Sequence, residues 1–322
     1  MRISSAALLL LVGGCARPEP GAPRERVTIP PGATVRIVAE SLAAHGIIGS
    51  RPWFKLVARL SGSERRIQSG SYEFARRQGA RATLRALVDG RAVLSKLTIP
   101  EGFTLADMAD AALKSLGIPR DQFLAATRDT VLLRRFGVPA ATFEGFLRPE
   151  TYLFASGVTA EAVVTELAET FRADWDPAWD QSAAAQGLDR LAVVTLASLV
   201  EGEAKVDEDR PLVAAVYRSR LRIGMPLQAD PTVQYALQLA AGARKPRLFD
   251  KDYEFPSPYN TYLRSGLPPG PVGAPSRKSI QAVLDPAPVP YLYFVAGPDG
   301  KHVFTRTYAE HLRAIRRIRG PR

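Results

Sequence analysis

The chain has 322 residues, 46% of them hydrophobic and 23% charged, which is enough for two globular domains of ordinary composition. Its net charge of +11 favours anionic partners such as nucleic acid, lipid headgroups or cell-wall polymers. The alternative is a basic surface that contacts only water. The single cysteine excludes an internal disulfide, and the three scattered histidines lack metal-ligand spacing. Phosphate-binding loops, GxGxxG and GxSxG motifs are absent, so we expect neither metal nor cofactor.

The chain begins with a short apolar segment of the kind found in export signals. MRISSAALLLLVGGC contains one arginine, an apolar run from Ala6 to Val12, and small residues before Cys15. A bilayer-spanning helix needs about 20 apolar residues, so this run fits a secretory signal over residues 1–15. Its end resembles a bacterial lipobox, which predicts a lipid on Cys15; an uncleaved signal anchor is the alternative. Either way we expect a membrane-anchored protein of the cell envelope, at the inner membrane, with its domains in the periplasm.

Residues 16–26 are rich in proline and charge and predict a linker. Two similar segments follow at an offset of 70 residues, VTIPPGATVRIVAESLAAHGII from Val27 and LTIPEGFTLADMADAALKSLGI from Leu97. Each predicts a strand, a Pro-x-Gly turn, a threonine N-cap and a short amphipathic helix. The first opens a small module over residues 27–96, with a strand within 69–76. The second opens a connecting helical segment over residues 97–185, which includes the aromatic-rich loop FEGFLRPETYLFASG.

The remaining residues, 186–322, begin with a strongly apolar helix predicted from Leu188 to about Ala204. A second helix is predicted to start near Asp207 and Pro211 and to run to Arg222, before a glycine. Helical patterns then give way to segments rich in proline, glycine and tyrosine. A hairpin is predicted between YLYFVAG and KHVFTRT, across the turn Pro-Asp-Gly.

Two glutamates at the end of the apolar helix are candidates for acid–base chemistry. Glu201 and Glu203 lie two positions apart, so a helix turns their side chains about 200° from each other. Glu203 continues an apolar stripe through Leu196 and Leu199, which predicts desolvation and a raised pKa suited to a general acid. Glu201 has Lys205 four residues ahead, a pair typical of a solvated face. We therefore predict that Glu203 is catalytic; the alternative is a helix-end side chain facing water.

Two turn-rich segments follow, MPLQADPTVQY at 225–235 and SPYNTYLRSGLPPG at 257–270. Loops of this kind commonly carry ligand contacts. Aromatic rings beside amide and hydroxyl groups are suited to sugars, because they stack on ring faces and bond to hydroxyls. The alternative is turn chemistry with structural tyrosines.

The motifs ASLVEGEA, RLRIGMPLQADPTVQY, SPYNTYLRSGLPPG and YLYFVAGPDGKHVFTRTYAEH, in this order, resemble the endolytic murein transglycosylases, the MltG or YceG-like family. FEGFLRPETYLF and the two repeated segments are also similar to that family, so the resemblance covers residues 27 to 315. The family usually has a transmembrane anchor, whereas this chain begins with a lipoprotein-like signal. The resemblance implies an α+β fold, in which a small LysM-like βα module precedes a mixed α/β lysozyme-like transglycosylase catalytic domain over residues 186–322.

The resemblance also implies an activity. The protein would cleave the β-1,4 bond between N-acetylmuramic acid and N-acetylglucosamine in nascent strands, leaving 1,6-anhydromuramoyl ends and limiting strand elongation. Glu203 matches the catalytic glutamate of the lysozyme-like transglycosylases. The side chains expected to hold the sugars are those of Gln228, Asp230, Thr232, Tyr235, Tyr259, Asn260 and Tyr262. The expected partners are peptidoglycan strands, the membrane through the N-terminal anchor, and peptidoglycan synthases.

Three other functions are compatible with parts of the sequence. A muramidase-type hydrolase would use Glu203 as acid and Asp230 as the base that activates water. A non-catalytic scaffold would bind the cell wall through the LysM-like module alone. A nucleic-acid binder would explain the positive charge, but the export signal and the lack of a recognition motif argue against it, so we expect no nucleic-acid partner.

Overall fold

The computed structural model describes residues 23–30, 32–90 and 93–320. The predicted signal segment, Cys15 and most of the linker lie outside the described residues. Two compact units are formed: one takes residues before Lys96 together with Leu153–Val158, and the other takes Lys96–Tyr152 and residues from Thr159 onward. The α+β class is confirmed, because helices are combined with small two-stranded sheets.

The first unit is a small α+β module with its own hydrophobic core. Its elements in chain order are β1 (Arg24–Ile29), α1 (Val35–Ala44), α2 (Arg51–Leu60), β2 (Gly70–Ala75) and α3 (Ala80–Val88). The two strands pair antiparallel, with Val27 opposite Tyr72, and both of these side chains are completely buried. Leu42 of α1, Phe54 of α2 and Leu87 of α3 are also inaccessible, so all five elements contribute to one core.

The repeated sequence segments form the same local structure twice, as predicted. The second copy contains β3 (Leu94–Thr98) and α4 (Leu105–Leu116). Thr34 caps α1 by accepting a hydrogen bond from the Ile37 backbone N–H. Thr104 caps α4 in a reciprocal capping box with Asp107. These caps satisfy backbone donors that have no partner within the helix, which fixes where each helix begins.

The second unit is mainly helical. Its further elements are α5 (Arg120–Ala126), α6 (Thr130–Phe136), α7 (Ala160–Asp174), α8 (Pro177–Ala185), α9 (Arg190–Glu203), α10 (Arg210–Arg222), α11 (Asp230–Ala241), α12 (Arg277–Leu284), β5 (Tyr293–Ala296), β6 (His302–Thr305) and α13 (Tyr308–Arg319). Strand β4 (Thr151–Ala155) begins in this unit and continues into the first unit from Leu153. Strand β3 pairs with β4, and β5 pairs antiparallel with β6 as the predicted hairpin. The aromatic-rich loop predicted at 143–157 differs, because it contains β4 and its Phe143 and Leu147 are completely buried.

Helix α9 lies at the centre of the second unit. Every residue from Val193 to Val200 is buried, and α8, α10, α11 and α12 all contact this helix. The apolar helix and its successor were predicted correctly, to within two residues at the ends of α9. In the part of the chain that the structure describes, no single helix has the length and hydropathy of a membrane span; only α8 and α9 taken together do, with a 90° bend between them.

Candidate active site

Glu203 is the last residue of α9, and two hydrogen-bond donors hold its carboxyl group. Its side chain is half-buried. Tyr217 of α10 is completely buried, and its hydroxyl donates to Glu203 Oε1 at 3.1 Å. The backbone N–H of Asp230, at the start of α11, donates to the same oxygen at 3.2 Å. One carboxyl oxygen is thus fixed by two neighbouring helices, and the other has no hydrogen bond within the described residues.

Gly202 allows α11 to begin this close to Glu203. A Cβ atom added at Gly202 would lie 2.5 Å from Cγ of Pro231, closer than side-chain atoms approach. Because Pro231 directly follows Asp230, moving it to relieve the clash would also move the N–H that bonds Glu203. The glycine between the two glutamates is therefore part of the site.

The environment of Glu203 favours its protonated form. Burial raises the pKa of the Glu203 carboxyl to about 8, and the negative charge of Asp230 acts in the same direction. The hydrogen bonds from Tyr217 and from the Asp230 N–H, and the charge of Arg220, lower that pKa by less. The raised pKa predicted for this residue is confirmed. At neutral pH Glu203 keeps the proton that a general acid has to donate.

Asp230 is the second carboxylate near Glu203, and tyrosine hydroxyls surround it. Tyr262 donates to Asp230 Oδ1 at 2.6 Å, and Tyr253 approaches Oδ2 at 3.5 Å. The two tyrosine rings lie 4.5 Å apart between centroids. Glu203, Asp230 and Tyr262 thus lie close together, as the sequence suggested. Tyr253, which lies between Asp230 and Tyr262 in the chain and was not predicted, joins them.

Glu201 has the opposite environment, and the solvated face predicted for it is wrong. Its side chain is only 6% exposed, and Oε2 forms an ion pair with Arg210 at 3.0 Å. Ser276 and Ser279 also donate to this oxygen. The expected partner Lys205 is exposed and forms no ion pair among the described residues. A carboxylate held by a buried cation and three hydrogen-bond donors is a structural group.

Gln228 lies just before Asp230 in an unusual backbone conformation. Its φ is +50°, which is uncommon for a residue other than glycine, and its side chain is exposed. Its backbone N–H donates to the Thr261 carbonyl at 3.1 Å. The preceding segment is held by the buried Arg220, which donates to the Leu227 carbonyl at 2.6 Å. The segment that carries Gln228 is therefore fixed on both sides, and its amide remains accessible.

The structure revises the roles predicted for Thr232 and Asn260, because both side chains are completely buried. Thr232 Oγ1 bonds to the Ala229 carbonyl and lies 2.9 Å from Thr261 Oγ1. Asn260 donates to two backbone carbonyls, at residues 253 and 255, and accepts from the N–H at 262. Neither offers a group to a sugar. Both fix the loop that presents the tyrosines.

Tyr235 and Tyr259 are placed around a different carboxyl group. Their rings lie 4.8 Å apart, and the Tyr235 hydroxyl donates to Glu144 Oε2 at 3.0 Å. Glu144 is 6% exposed and also accepts from the Leu105 backbone N–H. These two tyrosines therefore lie on α11 and the following loop as expected, but they contact neither Glu203 nor Asp230 within hydrogen-bond distance.

Sequence reasoning did not identify Tyr217, Gly202, Tyr253 or Glu144 as parts of a site. Tyr217 stands in the apolar run VAAVYRS, where a buried hydroxyl needs a partner, and this was an available signal. Gly202 inside a helix was a second signal, since a mid-helix glycine costs stability unless close packing requires it. In the described ranges, no three His, Cys, Asp or Glu side chains are grouped in a way that could hold a metal.

The opposite environments of the two glutamates predict opposite effects on stability. Glu201→Gln leaves Arg210 with the exposed Asp207 as its ion-pair partner, so we expect the free energy of unfolding to fall by about 2 kcal/mol. Glu203→Gln should raise it, because the wild-type carboxyl must stay protonated in the folded state while it ionises in the unfolded chain. The stability that Glu203→Gln gains over the wild type grows as the pH rises from about 4.5, the pKa in the unfolded chain, to about 8, the pKa in the folded protein. Above pH 8 the difference is constant, because the carboxyl is then ionised in both states. Urea denaturation at pH 5 and pH 8 measures both; a loss of stability in Glu203→Gln at pH 8 would contradict the site.

The family and structural relatives agree with one another. The YceG-like family matches residues 27–317. An endolytic murein transglycosylase from Bacillus subtilis (strain 168) is 31% identical over 303 residues, or 89% of this chain and 83% of that protein. One from Streptococcus pneumoniae serotype 2 (strain D39 / NCTC 7466) is 28% identical over 90% of this chain, which spans 57% of its length. The crystal structure of a yceG-like protein from Listeria monocytogenes superposes with a TM-score of 0.63 at 29% identity, covering 90% of this chain and 98% of that one. This protein belongs to the YceG-like family.

Proposed function

We propose that this protein is an endolytic peptidoglycan lytic transglycosylase in which Glu203 acts first as general acid and then as general base. The observation that carries the proposal is a half-buried carboxyl with a pKa of about 8, held by Tyr217 and by the Asp230 N–H. Relatives named endolytic murein transglycosylases, one of them 31% identical over most of both chains, support the same reaction class and a peptidoglycan substrate.

In the proposed reaction, Glu203 protonates the oxygen of the β-1,4 bond between N-acetylmuramic acid and N-acetylglucosamine. The bond to the muramoyl C1 breaks, and N-acetylglucosamine leaves with a free 4-hydroxyl group. The 6-hydroxyl of the same muramoyl residue attacks C1, and its proton returns to the ionised Glu203. The new end is a 1,6-anhydromuramoyl residue, and no water is consumed. An internal nucleophile needs little positioning by the protein, since it is already attached to the reacting ring.

Within this proposal Asp230 and the two tyrosines beside it stabilise the reacting sugar. The C1 atom becomes electron-deficient as the bond breaks, and a nearby carboxylate stabilises such positive charge. The Tyr253 and Tyr262 rings offer apolar faces for a sugar ring, while their hydroxyls fix the Asp230 carboxylate. The exposed amide of Gln228 is available for a sugar hydroxyl or acetamido group. Cleavage within nascent strands would limit their elongation.

Asp230 also keeps a hydrolase as the second candidate. If Asp230 activated a water molecule, Glu203 would still act as the acid, but the products would carry reducing ends. The hydrogen bond from Tyr262 at 2.6 Å occupies one oxygen of Asp230, which leaves fewer lone pairs on this carboxylate to accept a water molecule. A non-catalytic wall-binding scaffold is the third candidate and assigns no role to the Glu203 proton.

The products of digestion distinguish these candidates. Purified peptidoglycan is treated with the chain lacking residues 1–15, and the released fragments are identified by mass spectrometry. We expect anhydromuramoyl ends from the wild type, and a rate about 10²- to 10⁴-fold lower from Glu203→Gln, because the general acid is lost. Asp230→Asn should still give anhydromuramoyl ends, at a reduced rate.

Glu208→Gln is the matched control, because Glu208 is an exposed acidic residue five positions further along the chain. It should leave rate and products unchanged. Reducing ends from the wild type that disappear in Asp230→Asn would establish the hydrolase. Unaltered function in Glu203→Gln would favour the scaffold.

The N-terminal unit is proposed to be a LysM-like module that binds peptidoglycan, followed by a lysozyme-like catalytic half. The order strand, helix, helix, strand and the separate core of residues 27–88 support a module with its own binding surface. The division at residues 27–96, 97–185 and 186–322 remains a prediction. Retention of the Glu203→Gln protein by purified cell walls, lost when residues before Lys96 are removed, would support the assignment.

The protein is further proposed to act at the periplasmic face of the inner membrane, beside peptidoglycan synthases, and to be anchored through a lipid on Cys15. The support is the apolar run and the lipobox-like end of the first 15 residues. A synthase partner would supply nascent strands to the cleft.

The anchor predicts incorporation of lipid label into the protein expressed in bacteria. Labelled palmitate should appear in the wild type and be lost in Cys15→Ser, and the variant should keep an uncleaved N-terminus. Equal labelling of both, or a wild type of full length without label, would favour the uncleaved signal anchor.

A further inference from the structure

The second unit contains a cavity of about 490 Å³ that the proposed reaction does not use. It lies among α4, α5, α11, the segment 139–144 and the segment 269–271. Much of its wall is apolar, and the residues that form this part include Leu105, Leu124, Pro139, Leu191, Leu239 and Pro271. A cavity of this size holds a small peptide or one to two sugar rings.

The carboxyl group in the wall is that of Glu144, which is uncharged near neutral pH. Burial raises the pKa of its carboxyl to about 8, although hydrogen bonds from the Leu105 N–H and the Tyr235 hydroxyl lower it. The charges of Asp107 and Arg244 act on this pKa in opposite directions and by less. A neutral carboxyl at this place does not repel an anionic ligand.

Two arginines give the cavity a positive rim. Arg128 is exposed and has no ion-pair partner among the described residues. Within the described part of the chain, Arg120 forms one ion pair, with the exposed Asp110 at 3.5 Å, and such pairs contribute little. Among the described residues that line the cavity none is an ionised carboxylate, so its charge is complementary to that of a ligand with carboxylate groups.

The cavity is coupled by structure to the proposed catalytic centre. Helix α11 begins at Asp230, whose N–H bonds Glu203, and carries Tyr235 into the cavity wall. Five residues of helix correspond to about 7.5 Å along the axis, less than two sugar rings. One helix thus carries a residue of the proposed catalytic centre and, five positions later, a residue of the cavity wall.

We propose that this cavity binds the acidic peptide stem that the muramoyl residues of peptidoglycan carry on their lactyl groups. The inference rests on the proposed function and names the part of the substrate that the enzyme selects. The N-acetylated sugar backbone is neutral, so the carboxylates that Arg120 and Arg128 would bind belong to the stem. The methyl groups of its alanine residues match the apolar wall. Arg128 is thus a specificity-determining residue.

The test compares glycan strands that carry stems with strands from which an amidase has removed them. We expect Arg128→Gln to lower kcat/KM about fivefold on stem-bearing strands, since a partly exposed charge contact is lost. On stripped strands we expect a decrease of less than about twofold, because the amidase leaves only the short lactyl carboxylate on each muramoyl residue and removes the carboxylates of the peptide. Arg134→Gln is the matched control, because Arg134 is exposed on α6 nearby and does not line the cavity. It should change neither rate.

A second measurement does not depend on cleavage. A synthetic stem peptide is titrated into the Glu203→Gln protein, with and without Arg128→Gln, and binding is followed by calorimetry. Affinity that falls about fivefold with Arg128→Gln supports the inference. No binding, together with equal rates on both kinds of strand, overturns it while the proposed function stands. Peptide binding without cleavage of any strand would instead overturn the proposed function.

Discussion

The proposed active site depends on the close approach of two helices, α9 and α11, at Gly202. A carboxyl group that stays protonated near neutral pH needs protection from water, and a fixed position needs hydrogen-bond donors that cannot move away. At Glu203 the donors come from two neighbouring helices: the backbone N–H of Asp230 on α11 and the buried side-chain hydroxyl of Tyr217 on α10 hold one oxygen. Only a residue without Cβ leaves room for Pro231 at this distance. The contacts of Asp230 with its tyrosines follow from the same start of α11.

The two glutamates of α9 show how environment assigns roles to identical side chains. Glu201 is paired with Arg210 and three donors from α12 and its cap, so its charge is stabilised and its function is structural. Glu203, two residues later, faces a negative charge and has no cation in direct contact within the described residues. The first arrangement maintains the packing of α9, α10 and α12. The second keeps a proton available. Glu144, in the wall of the 490 Å³ cavity, resembles Glu203: its pKa is raised by burial, and a tyrosine hydroxyl, that of Tyr235, donates to it as Tyr217 does to Glu203.

Much of this arrangement could be predicted from local sequence patterns, and the rest could not. The ends of α1, α4, α9 and α10 follow from caps and apolar periodicity, and Glu203 follows from the apolar stripe behind it. The serine donors that hold Glu201 come from α12 and its cap, more than 70 residues away, so an i,i+4 contact with Lys205 was the simpler but wrong expectation. Thr232 and Asn260 have side chains that suit sugars and equally suit tight turns. Only their complete burial distinguishes the two.

The central claim is that Glu203 holds a proton at neutral pH, and the direct measurement is its titration. Carboxyl-labelled glutamate can be followed by carbon NMR between pH 3 and 10 in the wild type, Glu203→Gln and Glu144→Gln. Two resonances should titrate near pH 8, and each variant should lose one of them. A resonance lost in Glu203→Gln that titrates near pH 4.5 instead would contradict the claim, because that carboxyl would then be ionised when it should donate its proton.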